Sequence, residues 1–101
     1  MSEPDQSDVR LTAAVDGHVQ GVGFRWTTLT LANKLSLRGS AENRMDGTVL
    51  VVAEGPRQAC EQLLAWLRGD RSSGVRRPGR VDQVDEQWGP ATGEFKRFSA
   101  Y

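Results

Sequence analysis

Two repeat lengths of apolar side chains alternate along this chain, and their order leaves few folds open. In residues 9–16, VRLTAAVD, the side chains Val9, Leu11, Ala13 and Val15 recur at every second position, which predicts a half-buried strand. From Phe24 to about Leu35 the spacing lengthens: Phe24, Thr28, Leu31, Ala32 and Leu35 fall on one face of a helix. Residues 37–43 are short and extended, and Arg44-Met45-Asp46-Gly47 is suited to a hairpin turn, because Gly accepts the positive φ it needs. Residues 48–54, TVLVVAE, are apolar on both parities, as an inner strand is. A second helix opens at Gly55-Pro56, with Pro56 expected in its first turn and Ala59, Leu63, Trp66 and Leu67 as its apolar stripe. After a loop over 68–79, residues 81–88 and 94–101 are expected to be closing strands joined by a turn over 89–93. The spacing of Val81 with Val84, and of Phe95 with Phe98, breaks strict alternation and predicts a bulge or an interrupted strand.

Strand, helix, strand, strand, helix, strand is the split βαβ order of an α+β, ferredoxin-like α/β sandwich. The expectation is a mostly antiparallel sheet of four to five strands with both helices on one face. The chain has 101 residues, enough for a single domain over 9–101 behind a flexible tail over 1–8. Thirteen basic and thirteen acidic side chains give no net charge, which disfavours nonspecific nucleic-acid binding. No apolar run approaches the roughly 20 residues of a membrane helix, and the polar, acidic N-terminus is not a signal peptide. One cysteine and one histidine leave no disulfide and almost no metal site, and point to a reducing, cytoplasmic setting with no cofactor.

The chemistry concentrates in GHVQGVGFRW, residues 17–26, between the first strand and first helix. Gly17, Gly21 and Gly23 supply the backbone freedom that lets main-chain N–H groups turn inward, and a helix start leaves such groups unpaired. Together they form an anion nest, over which the fork of Arg25 can fold to grip two phosphate oxygens. On spacing alone, a plain glycine-rich connector with a surface arginine explains the stretch equally well. It is neither a Walker loop nor a dinucleotide fingerprint, since the spacing is G-x-x-x-G-x-G and no Lys-Ser/Thr follows. In a split βαβ unit the first two strands run the same way with another between them. The end of the second strand, Asn43, then lies roughly 10 Å from the glycine loop, two strand spacings away. Its carboxamide could hold a water there; it could also simply form the turn.

The blocks GHVQGVGFR, Asn43-Arg44-Met45-Asp46-Gly47-Thr48-Val49 and Ala53-Glu54-Gly55 resemble the acylphosphatase family, and the resemblance runs over nearly the whole chain from residue 9. It implies the ferredoxin-like fold and hydrolysis of acyl phosphates to a carboxylate and phosphate. It also implies that Arg25 binds phosphate and Asn43 orients the attacking water. The phosphate cradle corresponds to Gly17, His18, Val19, Gln20, Gly21, Val22, Gly23 and Phe24. The expected partner is a small acyl phosphate, without nucleic acid, membrane or metal, met by a monomer. The alternative it leaves is a noncatalytic accessory domain that binds phosphate or carbamoyl phosphate. Three features depart from the family pattern: Ser36 stands where Gly is common, Ser40-Ala41-Glu42 replaces bulkier residues before Asn43, and the loop over 68–79 is long and rich in arginine.

The remaining candidates carry less. His18 is not needed as an acid or base, Cys60 and Trp66 are expected in the core, and Trp26 and Trp88 fit core or pocket rim equally. Arg71, Arg76, Arg77 and Arg80 form either a solvated loop or a field that draws acidic substrates. An RNA-recognition module of the same fold would need exposed aromatics on its inner strand, and residues 48–54 have none.

Overall fold

The computed structural model describes residues 8–101. The expected tail thus lies outside the described residues except for Asp8, which opens the first strand instead. The elements are β1 (Asp8–His18), α1 (Phe24–Lys34), β2 (Arg38–Asn43), β3 (Val49–Pro56), α2 (Arg57–Leu67), β4 (Arg80–Pro90) and β5 (Phe98–Ala100). Their order in the sheet is β4-β1-β3-β2-β5, with β2 and β5 parallel and the other neighbours antiparallel. This is the ferredoxin-like α+β arrangement that the sequence predicts. Because β1 and β2 both run against β3, they run with each other, and their C-terminal ends share one rim of the sheet.

The core lies between the sheet and the helices. Leu11, Ala13, Val15, Val49, Val51 and Ala53 point from β1 and β3 towards Phe24 and Leu31 of α1 and Leu63, Trp66 and Leu67 of α2, all buried. Burying each large apolar side chain contributes about 1.5–3 kcal/mol, so this layer dominates the stability. Phe24 and Trp66 meet with ring centroids 5.9 Å apart, which fixes the start of α1 against the end of α2. Cys60 is buried too, and desolvation raises its thiol to about 11, so it packs as a small apolar side chain.

Both helices end in the same hydrogen-bonded turn. In α1, Ser36 N–H donates to Asn33 O and Leu37 N–H to Ala32 O; in α2, Gly69 and Asp70 donate likewise to Trp66 and Ala65. The turn requires a left-handed residue, supplied by Gly69 at φ 111 in α2 and by Ser36 at φ 58 in α1. Ser36 is the position where the sequence departs from the glycine common in the family it resembles. Pro56 stands just before the first turn of α2 rather than in it, still closing β3.

The closing strands differ from expectation. β4 pairs Asp16 with Gln83 and Gly17 with Val81, so Asp82 is an extra residue bulged out of the ladder. That bulge puts Val81 and Val84 on the same face despite their three-residue spacing. The expected strand over 94–101 shrinks to Phe98–Ala100, because the preceding residues have to carry the chain from one sheet edge to the other. Glu54 anchors that crossing. Its fully buried carboxylate accepts from Thr92 N–H (2.9 Å), Thr92 Oγ1 (2.8 Å) and Gly93 N–H (2.9 Å), and pairs with Arg10 at 3.3 Å.

Candidate active site

The glycine loop leaves β1 at His18 and enters α1 at Phe24. Val19 and Phe24 are each only 1% exposed, so the two ends of the loop are clamped into the core. Between them φ is positive at Gly21 and Gly23, while Gln20 and Val22, like every described non-glycine residue except Ser36, keep a negative φ. Alternating signs of φ turn successive N–H groups to one side, the geometry of an anion nest. The N–H groups from Gln20 to Trp26 take no acceptor among the described residues. No acidic side chain occupies the first turn of α1, so the positive end of its dipole is not offset. Gly17, at φ 140, is required for a second reason: a Cβ there would lie 2.1 Å from the carbonyl oxygen of Arg80.

Arg25 is the second residue of α1. Its Nη1 donates to the main-chain oxygen of Tyr101, and Tyr101 N–H in turn donates to Ala41 O at 2.9 Å. The guanidinium is thereby drawn to the edge formed by β2 and β5, two residues along β2 from Asn43. A guanidinium carries five N–H donors, so this contact leaves most of the fork for another partner. Asn43 itself closes β2 opposite Val49 and shares the inward face with Ala41. Its Oδ1 is enclosed by protein yet has no hydrogen-bond partner among the described residues. A buried acceptor without a donor costs about 1–3 kcal/mol, and a water or ligand that donates to it recovers that loss.

Gln20 fastens the loop to this strand end. Its Nε2 donates to Arg44 O at 2.8 Å and Thr48 O at 3.0 Å, the carbonyls flanking the hairpin that follows Asn43. The hairpin is stiff on its own account. Arg44 N–H donates to Thr48 O, Gly47 N–H to Arg44 O, and the Asp46 carboxylate accepts from both Thr48 N–H and Thr48 Oγ1. Those bonds from Thr48 hold the Asp46 carboxyl below its usual range. Gln20 has a role that sequence reasoning missed, since only its main-chain N–H was expected to matter; the oxygen of Tyr101 carried no local signal at all.

The structure therefore gathers the glycine loop, Arg25 and Asn43 at one rim. His18 is exposed at the end of β1 and pairs with Arg80 in the β ladder. Trp26 is 60% exposed on the first turn of α1. Trp88 lies opposite Leu11, towards the far end of β1, with Arg57 stacked 4.4 Å over its ring, so it does not line this rim. No group of three or more His, Cys, Asp or Glu that could hold a metal ion occurs among the described residues.

A family model for acylphosphatase matches residues 11–100. An acylphosphatase of Corynebacterium glutamicum is 63% identical over 81 residues, 80% of this chain and 85% of that protein. One of Mycobacterium avium is 54% identical over 98 residues, 97% of each chain. The crystal structure of acylphosphatase from Bacillus subtilis superposes with a TM-score of 0.79 at 29% identity, covering 92% of this chain and 98% of that one.

Proposed function

The chain belongs to the acylphosphatase family, and from that premise we propose how it hydrolyses acyl phosphates to a carboxylate and inorganic phosphate. The phosphoryl group sits in the nest of N–H groups from Gln20 to Arg25, since Gly17 N–H already donates to the Asp16 carboxylate, and Arg25 closes over two of its oxygens. The Asn43 carboxamide, which offers one donating and one accepting group, holds a water and so aims its lone pair at phosphorus. As the new P–O bond forms, the bond from phosphorus to the acyl oxygen breaks on the opposite side, and the carboxylate departs with that bond's electrons. The proton lost by the attacking water passes to solvent or phosphate.

Few groups are needed because the leaving group is easy. A carboxylic acid has a pKa of about 4, so its anion leaves at neutral pH without a general acid. The remaining tasks are positioning, for which ~7–11 kcal/mol is available, and stabilising oxygen charge by fixed donors, worth a few more each. His18, exposed on the strand end, has no step to perform. We also take the chain to act as a monomer on a small molecule in a reducing cytoplasm; of these, the single unpaired thiol supports the reducing setting. None of the described helices is long and apolar enough to cross a membrane.

The observation that carries this reading is the loop of unpaired N–H groups, fastened by Gln20 to the strand end that bears Asn43. Turnover of benzoyl phosphate tests it. Asn43→Ala is expected to lower kcat by at least about 100-fold while inorganic phosphate still binds. Arg25→Lys, which keeps the charge but loses the fork, should weaken both affinity and rate. An unchanged kcat in Asn43→Ala would refute the role given to Asn43.

A further inference from the structure

A second cluster of positive charge stands beside the cradle. The loop over 68–79 borders a half-open cavity of about 600 Å³ with Trp66 in its wall and Arg71, Arg76 and Arg77 around it; Asp70 is the one acidic residue of the lining. The cavity is held in shape. Trp66 Nε1 donates to Val75 O at 2.8 Å, Arg77 Nη1 to Leu67 O at 2.6 Å, and Lys34 Nζ to Ser73 O at 3.3 Å. The arginines flanking the loop are already matched, Arg68 with Glu86 and Arg80 with Asp82. Arg71 and Arg76 have no carboxylate partner among the described residues, and both are exposed. Asp70 is itself engaged by the Ser72 hydroxyl.

The position of this cavity relative to the reaction axis gives it a use. β2 and Asn43 lie on one side of β1 in the sheet, and β4 lies on the other. Gly79, which leads into β4 and lines the cavity, is packed on the back of the cradle: a Cβ there would fall 2.2 Å from His18 O and 3.1 Å from Val22 Cγ2. In an in-line displacement the leaving group departs opposite the attacking water. With water on the Asn43 side, the acyl group extends towards β4 and the arginine loop. Taking the cradle as read above, we propose that Arg71 and Arg76 form a specificity subsite for acyl phosphates whose acyl group ends in a second anion, a carboxylate. Two unmatched guanidinium groups at the mouth of a preshaped cavity raise the local concentration of such a substrate and hold its far end.

The test compares acetyl phosphate, whose acyl group is neutral, with succinyl phosphate, whose acyl group carries a carboxylate. In the full chain, the double variant Arg71→Ala/Arg76→Ala should lower kcat/KM for succinyl phosphate roughly tenfold, the low end of what electrostatic steering supplies, and leave acetyl phosphate within about twofold. The wild-type advantage should shrink as salt rises past about 0.15 M, and Arg76→Glu should penalise succinyl phosphate further than Arg76→Ala. Acetyl phosphate turnover reports that each variant is folded. Equal losses on both substrates, or none on either, would overturn the subsite and leave hydrolysis standing. Failure of the wild-type chain to turn over either substrate would overturn both readings.

Discussion

Gln20 offers the sharpest separation between holding the fold and placing the chemistry. Replacing it by Ala removes two hydrogen bonds, to Arg44 O and Thr48 O. Neither carbonyl is orphaned, because Gly47 N–H still donates to Arg44 O and Arg44 N–H to Thr48 O. The stability cost is therefore only the net worth of two bonds, about 1–3 kcal/mol, without an added desolvation penalty. The catalytic cost is of another kind. Val19 and Phe24 still anchor the loop, so the nest persists and inorganic phosphate should inhibit with a constant within about threefold of wild type. What loosens is the distance between the nest and Asn43, and a shift of about 1 Å in a reacting group can cost 10²-fold. We expect kcat on benzoyl phosphate to fall about 10–100-fold with KM nearly unchanged, a loss of about 1.4–2.7 kcal/mol in transition-state stabilisation. Gln20→Glu should be worse than Gln20→Ala, because it points a carboxylate at two carbonyl oxygens. Steady-state kinetics with phosphate inhibition, alongside urea unfolding, measures both quantities. A kcat within twofold of wild type, accompanied by the expected loss of stability, would show that Gln20 only braces the fold.

Two further outcomes concern stability. Ser36→Gly should stabilise the chain by about 0.5–1 kcal/mol, since a left-handed residue with a Cβ costs about 1–2 kcal/mol and glycine's extra unfolded freedom returns part of that. The thermal midpoint should rise by a few degrees, about 2–8 °C, and no rise would mean that the turn relaxes around Ser36 without strain. Glu54→Gln should destabilise by about 2–4 kcal/mol at neutral pH, because the amide brings donors where Arg10, Thr92 and Gly93 already donate. Burial alone would raise the Glu54 pKa, but the Thr92 and Gly93 hydrogen bonds and the Arg10 charge together lower it below 4.5. Its contribution is then fully present above the unfolded value of about 4.5 and lost as pH falls through the lower folded one. The gap between wild type and Glu54→Gln in urea unfolding should stay constant from pH 7 to about 5 and narrow below about 4; a gap independent of pH would refute the ionic role.

Features set by neighbours in sequence were legible before any coordinates. The periods of residues 9–16 and 24–35 gave a strand and a helix, and three glycines around residues 17–23 announced a loop with unusual φ. Ser36 stood out only as a departure from the family pattern; the structure supplies the reason, a left-handed position filled by a residue with a Cβ. Features set by partners distant in sequence were not legible. The end of β4 and the shortness of β5 depend on Glu54 capturing Thr92 and Gly93, some 38 residues away. The bulge at Asp82 was visible only as a broken alternation, because its cause is the register of β4 on β1. Gln20 had no periodicity to betray it: a long polar side chain in a loop looks solvated until the hairpin carbonyls it meets are known.

The connection between Glu54 and Arg25 joins the stability of the fold to the readiness of the site. Glu54 fixes the start of the crossing over 91–97, and that crossing delivers β5 to the edge beside β2. Gly39 N–H, donating to Arg97 O, and Tyr101 N–H, donating to Ala41 O, then fasten the segment along β2. At its end, the oxygen of Tyr101 receives Arg25. The guanidinium is therefore oriented by a strand of only three residues, too short to persist without its anchors at either end. Releasing the Glu54 end, by acid or by substitution, frees the crossing first and the orientation of Arg25 with it, while the core between α1, α2 and the sheet remains packed. Activity should accordingly fail before the fold does as pH drops, with KM rising first, because Arg25 grips phosphate whereas Asn43 and Gln20 are held by the hairpin and not by this segment.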